Sequence, residues 1–393
     1  MSTISSKLAA LKAEFTAQNP KSKELISTAS AVIPSGTTRS VLHYSPFPLC
    51  FSGGAGPLLT SADGAEYLDL CSEYFAGMFG HSHPKIKEAV ASVLASGFTL
   101  GGPNQYEGEL ASLLVDRFPS VAAIRFCNSG TEANTMAIAT ALAFTKRRKV
   151  LVLENGYHGG TMAFAHPGPL TLPHEWVYGR LNDEAYTRRQ IAEHGAEIGC
   201  IIAEPLQGAG GLIAASQAYL QFLRDEATRI GAVLVFDEVV TSRLYYGGLQ
   251  AYHGVIPDMT TVGKHFGGGF SFGAFGGRHE IMDLYDPQSP DFLFHSGTWN
   301  NNLFSMCAGV AAAKLLTREA LERTNGLGNA CRSGMRRSSP RRTIGRWLMY
   351  EDLEAWWACI FKGRTRGRCK RRCSSSCCRR ESTWVRGGFW RSI

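Results

Sequence analysis

Three short segments hold residue types that could bind an anion or form a covalent bond. In NSGTEAN, residues 128–134, the residues Ser129, Gly130 and Thr131 open an apolar, helix-forming run. A helix start exposes backbone N–H groups and its dipole favours negative charge, so a phosphate could sit there. The same residues could simply cap the helix, with Ser129 or Thr131 as the cap and Glu132 in the first turn. In FDEVVTSR, residues 236–243, Asp237 ends a strongly apolar run, where an unpaired carboxylate is costly. A partner with a protonated ring nitrogen would account for it, and so would helix capping. In TVGKHFGGGFSFGAFGGR, residues 261–278, Lys264 ends a short apolar run and six Gly follow within fourteen residues. A desolvated lysine is a nucleophile, and glycines let backbone pass close to a flat ligand. A solvated lysine before a surface turn has the same spelling.

In this order, an anion cradle, a strand-end acid and a strand-end lysine are the parts that pyridoxal 5'-phosphate (PLP) needs. The lysine forms the Schiff base and the acid holds the pyridinium proton, which makes the ring an electron sink. Tyr157, in ENGYHGG, offers an aromatic face for that ring. His158 beside it reads by itself as a structural histidine. Gly297-Thr298, in HSGTWNNN, offers an amide and a hydroxyl to a phosphate.

These residues need a frame. Short apolar runs at 122–128, 149–155, 198–204, 232–238 and 259–264 alternate with helix-length segments. That pattern predicts an α/β fold with a mostly parallel sheet covered on both faces. Ligands in such sheets bind at the carboxyl ends of the strands. Asn128 to Thr131, Asn155, Glu204, Asp237-Glu238 and Lys264 should therefore meet along one edge. Before this region, residues 6–17 predict an amphipathic helix, and a loop follows around Pro34. Residues 47–70 predict a hairpin with turn signals at Gly53-Gly54 and Asp63-Gly64.

Composition narrows the classes. The chain has 393 residues, 44% hydrophobic and 19% charged, which fits a globular protein. No apolar run approaches the ~18–20 residues that a bilayer crossing needs. The N-terminus shows no signal-peptide core and no arginine before Arg39, so a cytoplasmic location and no membrane partner are expected. The net charge of +8 is unevenly spread. Residues 331–393 carry 17 Lys and Arg against 4 Asp and Glu, whereas residues 1–330 carry 24 against 29. A body this acidic gives no footing for nucleic acid. Its five widely spaced cysteines read as buried thiols, and no metal site is expected.

The chain resembles the class III aminotransferases of PLP fold type I. It is most similar to the branch holding glutamate-1-semialdehyde aminomutase and the β-amino-acid aminotransferases. The resemblance rests on SGTTRSVLHYSPFPL (35–49), GHSHP (80–84), FCNSGTEAN (126–134), ENGYHGG (154–160), AEPLQGAGG (203–211), FDEVVTSR (236–243), PDMTTVGKHFGGGFSFGAFGGR (257–278) and SGTWNNN (296–302), in the family's order. It implies a homodimer with a shared active site that moves an amino group between an amino acid, aromatic or β-amino, and a keto acid by a ping-pong route. Lys264 would carry the cofactor and shuttle the proton, and Asp237 would pair with the pyridine nitrogen. Val239 would pack on the ring face opposite Tyr157, with His158 in the same cofactor-binding set. Gly130 and Thr131, beside Ser129, would bind the phosphate, and Thr298 would reach the phosphate of the neighbouring subunit. Glu204 would lie close to the link with Lys264. Arg39 matches the position where the β-amino-acid branch binds a substrate carboxylate, a task suited to a planar guanidinium; an ordinary loop arginine fits as well. Aminomutases of this group carry Asn where this chain has Ala209, and SRLYYGGLQ (242–250) resembles the β-amino-acid branch better. A 2,1-aminomutase is the alternative activity.

The resemblance implies a domain division: residues 1–69 leading to a small domain and the site entrance, 70–315 the large PLP-binding domain, and 316–330 the start of the C-terminal small domain. Residues 331–393 depart from it. There Arg outnumbers Lys 15 to 2, and six of the eleven Cys and five of the seven Trp are found. This spelling suggests translation in a wrong frame, and a disordered segment in place of half the small α+β domain. A four-thiolate zinc site on Cys369, Cys373, Cys377 and Cys378 fits poorly. A basic tail for RNA or membrane is a further alternative. The expected consequence is weak turnover, and at the limit a PLP-binding protein without catalysis.

Overall fold

A computed structural model describes residues 2–165 and 167–338. The segment at 339–393, with the zinc and basic-tail alternatives read on it, lies outside the described residues. The described chain forms two compact units, residues 2–72 with 80–83, and residues 73–79 with 84–338.

In the first unit, α1 (Ser2–Gln18) and α2 (Pro20–Ser30) precede an antiparallel meander of β1 (Phe51–Ala55), β2 (Leu58–Ser61) and β3 (Glu66–Leu68). The first amides of a helix have no partner within it. Asp63, in the β2–β3 turn, accepts the Lys21 amide at 2.7 Å and the Ser22 amide at 3.1 Å, fastening the meander to the start of α2. Asp63-Gly64 is thus a turn, as its spelling predicts. Gly53-Gly54 is not: both lie inside β1, and a Cβ on Gly54 would stand 2.8 Å from the His81 ring. That close approach, rather than a reversal of the chain, is why glycine stands there. Arg39 belongs to this unit and precedes a short turn at Ser40–Leu42.

The second unit carries a seven-stranded sheet. Its strands are β4 (Ala123–Cys127), β5 (Lys149–Leu153), β6 (Glu175–Gly179), β7 (Ile198–Ala203), β10 (Val233–Asp237), β11 (Met259–Gly263) and β12 (Gly273–Gly277). Between them lies a small hairpin of β8 (Leu206–Gln207) and β9 (Ile213–Ala214). The order is β4-β12-β11-β10-β7-β5-β6, with β12 alone antiparallel to its neighbours. Side chains alternate between two cores. Val150, Val152, Cys200, Ile202, Val233 and Val235 face one, and Leu151, Leu153, Ile201, Ala203, Leu234 and Phe236 face the other. Burial on both faces explains why these strands read as unbroken apolar runs.

Four helices of this unit follow in chain order. They are α3 (Pro84–Val93), α4 (Gln105–Arg117), α5 (Gly130–Thr145) and α6 (Glu184–His194). Three more long helices follow, α7 (Gln217–Ile230), α8 (Leu303–Leu315) and α9 (Arg318–Ser338), with short helical turns between. Helix α5 covers the first core with Ala133, Ala137, Ile138 and Ala141, and α7 covers the second with Tyr219, Leu220, Leu223 and Ala227. Each fully buried Leu of these cores contributes about 1.5–3 kcal/mol. Helix α9 runs past residue 331, where the change in composition begins.

Five of the seven strands lie within the apolar runs named above; β6 and β12 do not. The β12 sequence, GAFGG, reads as loop because glycine is poor in strands. It is a fully buried strand all the same. A Cβ on Gly273 would stand 2.1 Å from the Ser129 carbonyl oxygen, and one on Gly276 2.6 Å from that of Ala123. Backbone of β4 and of the helix cap that follows it, not a flat ligand, demands these glycines. Among the described residues no helix is long and apolar enough to cross a membrane.

Candidate active site

The carboxyl ends of β4, β7, β10 and β11 and the loop after β5 place the polar residues of interest. Asp237 is the last residue of β10 and is buried. Its Oδ2 accepts the Asn134 Nδ2 at 2.7 Å and the His158 Nδ1 at 2.8 Å, while its Oδ1 accepts the Val239 amide at 3.0 Å. Burial disfavours the His158 imidazolium, but the hydrogen bond to Asp237 and the charges of Asp237 and Glu204 outweigh it and raise its pKa. His158 Nε2 is buried without a partner among the described residues.

Lys264 follows β11 directly and has a left-handed backbone, φ 51°. That conformation is uncommon outside glycine. Burial depresses its ammonium, against the opposing pull of Asp237 and Glu204. An amine so disposed is easier to deprotonate and hence a better nucleophile. Glu204 follows β7, and burial pushes its carboxyl up to about 7, with His158 pulling it down and Asp237 up. Its Oε2 accepts the Tyr157 amide at 2.8 Å and its Oε1 the Gly208 amide at 3.1 Å. Glu204 thereby fixes the backbone that carries Tyr157, whose side chain is 41% exposed.

Helix α5 begins at the end of β4. Ser129 caps it, its hydroxyl accepting the Glu132 amide at 3.1 Å, and Glu132 Oε2 in turn accepts the Asn128 amide at 2.7 Å. The next amide, that of Ala133, goes to the Ser129 carbonyl. Gly130 and Thr131, at the first two helical positions, have amides that the helix itself cannot satisfy. A Cβ on Gly130 would stand 2.8 Å from Val239 Cγ1, and one on Gly159 2.4 Å from the Thr131 hydroxyl oxygen. The helix start is therefore packed tightly against both the residue two places beyond Asp237 and the turn after Tyr157.

Asp237, His158, Glu204, Val239, Lys264 and the Ser129–Thr131 turn thus surround one edge of the sheet. Thr298 does not join them: it is exposed, on a loop whose Asn300 accepts from Asn128 Nδ2 at 2.8 Å. Arg39 lies in the first unit. Two residues of the network were not singled out from sequence: Asn134, and Thr261, whose hydroxyl donates to Asn134 Oδ1. The signal was present for Asn134, a buried polar residue on the face that α5 shows with Ala133, Ala137 and Ile138. Nothing in MTTVGK marks Thr261 apart from other strand threonines.

The donor set suits a phosphorylated pyridine aldehyde. Two helix-start amides could receive an anion, a buried acid has room for one more donor, and a desolvated amine stands at the end of the adjacent strand. Among the described residues no group of three or more His, Cys, Asp or Glu could hold a metal ion.

A family model described as "Aminotransferase class-III" matches residues 41–167 and 177–344. The chain is 49% identical over 308 residues to the beta-phenylalanine transaminase of Variovorax paradoxus, covering 78% of this chain and 71% of that protein. It is 38% identical over 330 residues to the glutamate-1-semialdehyde 2,1-aminomutase of Methanothermobacter thermautotrophicus, covering 80% of this chain and 78% of that one. Among solved structures, a beta-phenylalanine aminotransferase from Variovorax paradoxus superposes with a TM-score of 0.81 at 47% identity, over 84% of this chain and 77% of that one. A transaminase solved with PLP bound superposes with a TM-score of 0.78 at 33% identity, over 81% and 79%.

Proposed function

The chain belongs to the class III aminotransferases and works with PLP, and on that premise we propose that it takes the amino group of an aromatic β-amino acid and passes it to a keto acid, as a homodimer. The observation that carries this reading is the meeting of Lys264, Asp237 and the Gly130–Thr131 amides at one sheet edge, in a chain 49% identical to a beta-phenylalanine transaminase. Ala209, where aminomutases carry Asn, supports amino transfer between two molecules over rearrangement within one.

PLP, when bound, supplies a protonated pyridine ring that takes up the electron pair released at the substrate carbon. The residues of this chain then divide the work. Asp237 holds the proton of the ring nitrogen, and the Gly130 and Thr131 amides hold the phosphate. Val239 and Tyr157 would lie on the two faces of the ring. Lys264, its ammonium depressed by burial, would hold the cofactor and, as a free amine, would accept the proton from the substrate carbon on its Nζ. Glu204 holds the Tyr157 turn. Thr298 serves the phosphate in the partner's site.

The test is amino transfer from β-phenylalanine to a keto acid by the purified, PLP-loaded chain. Lys264→Ala is expected to lose at least about 10³-fold in turnover, the scale of a missing general acid–base group. It also loses the visible absorbance of lysine-bound PLP. Turnover that needs no external keto acid selects the aminomutase reading. Wild-type protein that holds PLP through Lys264 and still transfers nothing selects the impaired one.

A further inference from the structure

Asp237 is oriented by a hydrogen-bonded chain that crosses four elements. Thr261, on β11, is the cross-strand neighbour of Asp237 in the parallel β10–β11 register. Its hydroxyl donates to Asn134 Oδ1 at 2.6 Å. The Asn134 amide nitrogen then donates to Asp237 Oδ2 at 2.7 Å and to the His158 carbonyl at 3.1 Å. All four residues are buried, with Thr261 at 0% and Asn134 at 2% exposure.

This arrangement sets a polarity. An amide has one acceptor end and one donor end. Turned about, Asn134 would aim its oxygen at two acceptors, the Asp237 carboxylate and the His158 carbonyl. The Thr261 hydroxyl satisfies the oxygen in the orientation that leaves the NH₂ facing Asp237. With Asn134 and His158 both on Oδ2, that oxygen's two lone pairs are taken. Among the described residues Oδ1 accepts only the Val239 amide, so one lone pair of Oδ1 remains for a ring N–H.

We propose that Asn134, its NH₂ aimed by the two acceptors and its oxygen satisfied by the Thr261 hydroxyl, is a positioning residue that fixes the Asp237 carboxylate so that Oδ1 meets the pyridinium nitrogen. The proposal rests on the functional reading above. It extends that reading to two residues that touch neither substrate nor cofactor. The chain also joins the strand ending in Asp237 to the strand that leads into Lys264, so the acid and the amine keep one spacing.

The test compares PLP retention by the full-length holoenzyme variants, measured by equilibrium dialysis, with their kcat, KM and thermal unfolding. Asn134→Ala removes a hydrogen bond to a charged group and is expected to raise the PLP dissociation constant about 10- to 100-fold. Thr261→Val, of matching shape, is expected to raise it about 3- to 10-fold, and Thr261→Ser to restore it to within about twofold of wild type. In both weakened variants kcat falls while KM for the amino donor holds, because substrate is not touched. Asn134→Ala carries the test by itself if Thr261→Val does not fold. Retention equal to wild type in Asn134→Ala overturns the proposal. So does a Thr261→Ser variant as weak as Thr261→Val, which would assign the effect to packing. A drop in unfolding temperature with unchanged retention also overturns it. A wild-type chain that binds no PLP sinks the functional reading instead.

Discussion

At Asp237 both carboxylate oxygens already accept protein N–H groups, three in all, and the side chain is 5% exposed. At Gly130 and Thr131 the surroundings are half-buried, the helix leaves the amides unanswered, and Thr298 stands exposed on a separate loop. The acid end is held by protein donors alone, whereas the phosphate end offers donors that suit an anion. The difference follows from what each must hold. A buried carboxylate needs donors at all times, because an unpaired one is costly. An amide pair at a helix start is tolerable in contact with water and becomes valuable when an anion displaces that water.

That contrast predicts unequal damage. Asp237→Ala removes the acceptor of the buried His158 Nδ1 and of one of the two Asn134 N–H bonds. It should cost about 3–5 kcal/mol of stability even in protein freed of PLP, measured by denaturant unfolding. A loss confined to the PLP-loaded form would show that the acid end is not prebuilt.

A second effect comes from protons at the same end. The Glu204 carboxyl is raised from 4.5 to about 7 in the fold, so the folded state binds that proton more tightly than the unfolded chain. Its contribution to stability is therefore largest at low pH and is lost between about pH 4.5 and 7, a change of about 3 kcal/mol. His158, also raised, contributes stability that is present below its ordinary pKa of 6.5 and is lost as pH rises through its folded value. The two act in one direction. Unfolding free energy should fall from pH 6 to pH 8, and Glu204→Gln should flatten the slope. Stability that instead rose over this range would remove Glu204 and His158 as the governing pair.

The phosphate end yields the smallest effect on the fold and one confined to the ligand. Gly130→Ala places a methyl 2.8 Å from Val239 Cγ1, an overpacking of about 1–3 kcal/mol. It should weaken PLP binding and remove competition by inorganic phosphate, with only a modest loss of unfolding temperature. Unchanged competition by phosphate would detach Gly130 from the anion site.

The strands were legible because burial on both faces writes itself as an apolar run, and five runs supplied β4, β5, β7, β10 and β11. β12 was not legible, since its glycines answer to the backbone of Ser129 and Ala123 across the sheet, and no local pattern records a neighbour that far along the chain. The turn read at Gly53-Gly54 failed for the same reason, with His81 as the distant neighbour. In the site, Lys264, Asp237 and Ser129–Thr131 stood out because each interrupts or ends an apolar run with a reactive or anion-holding group. Asn134 left one signal, a polar residue on the apolar face of its helix, and Thr261 left none, because a single hydroxyl declares its purpose only through its partner.

The order of residue types along the chain determined the α/β frame, the family and which side chains have the chemistry for PLP. Periodicity and strand-end placement are local properties, and they survive in one dimension. What the tertiary structure alone decided is direction: which oxygen of Asp237 is saturated, which way the Asn134 amide points, and how far Glu204 is driven from its ordinary pKa. Each depends on groups tens of residues away brought within 3 Å, and hydrogen bonding and desolvation act only at that range.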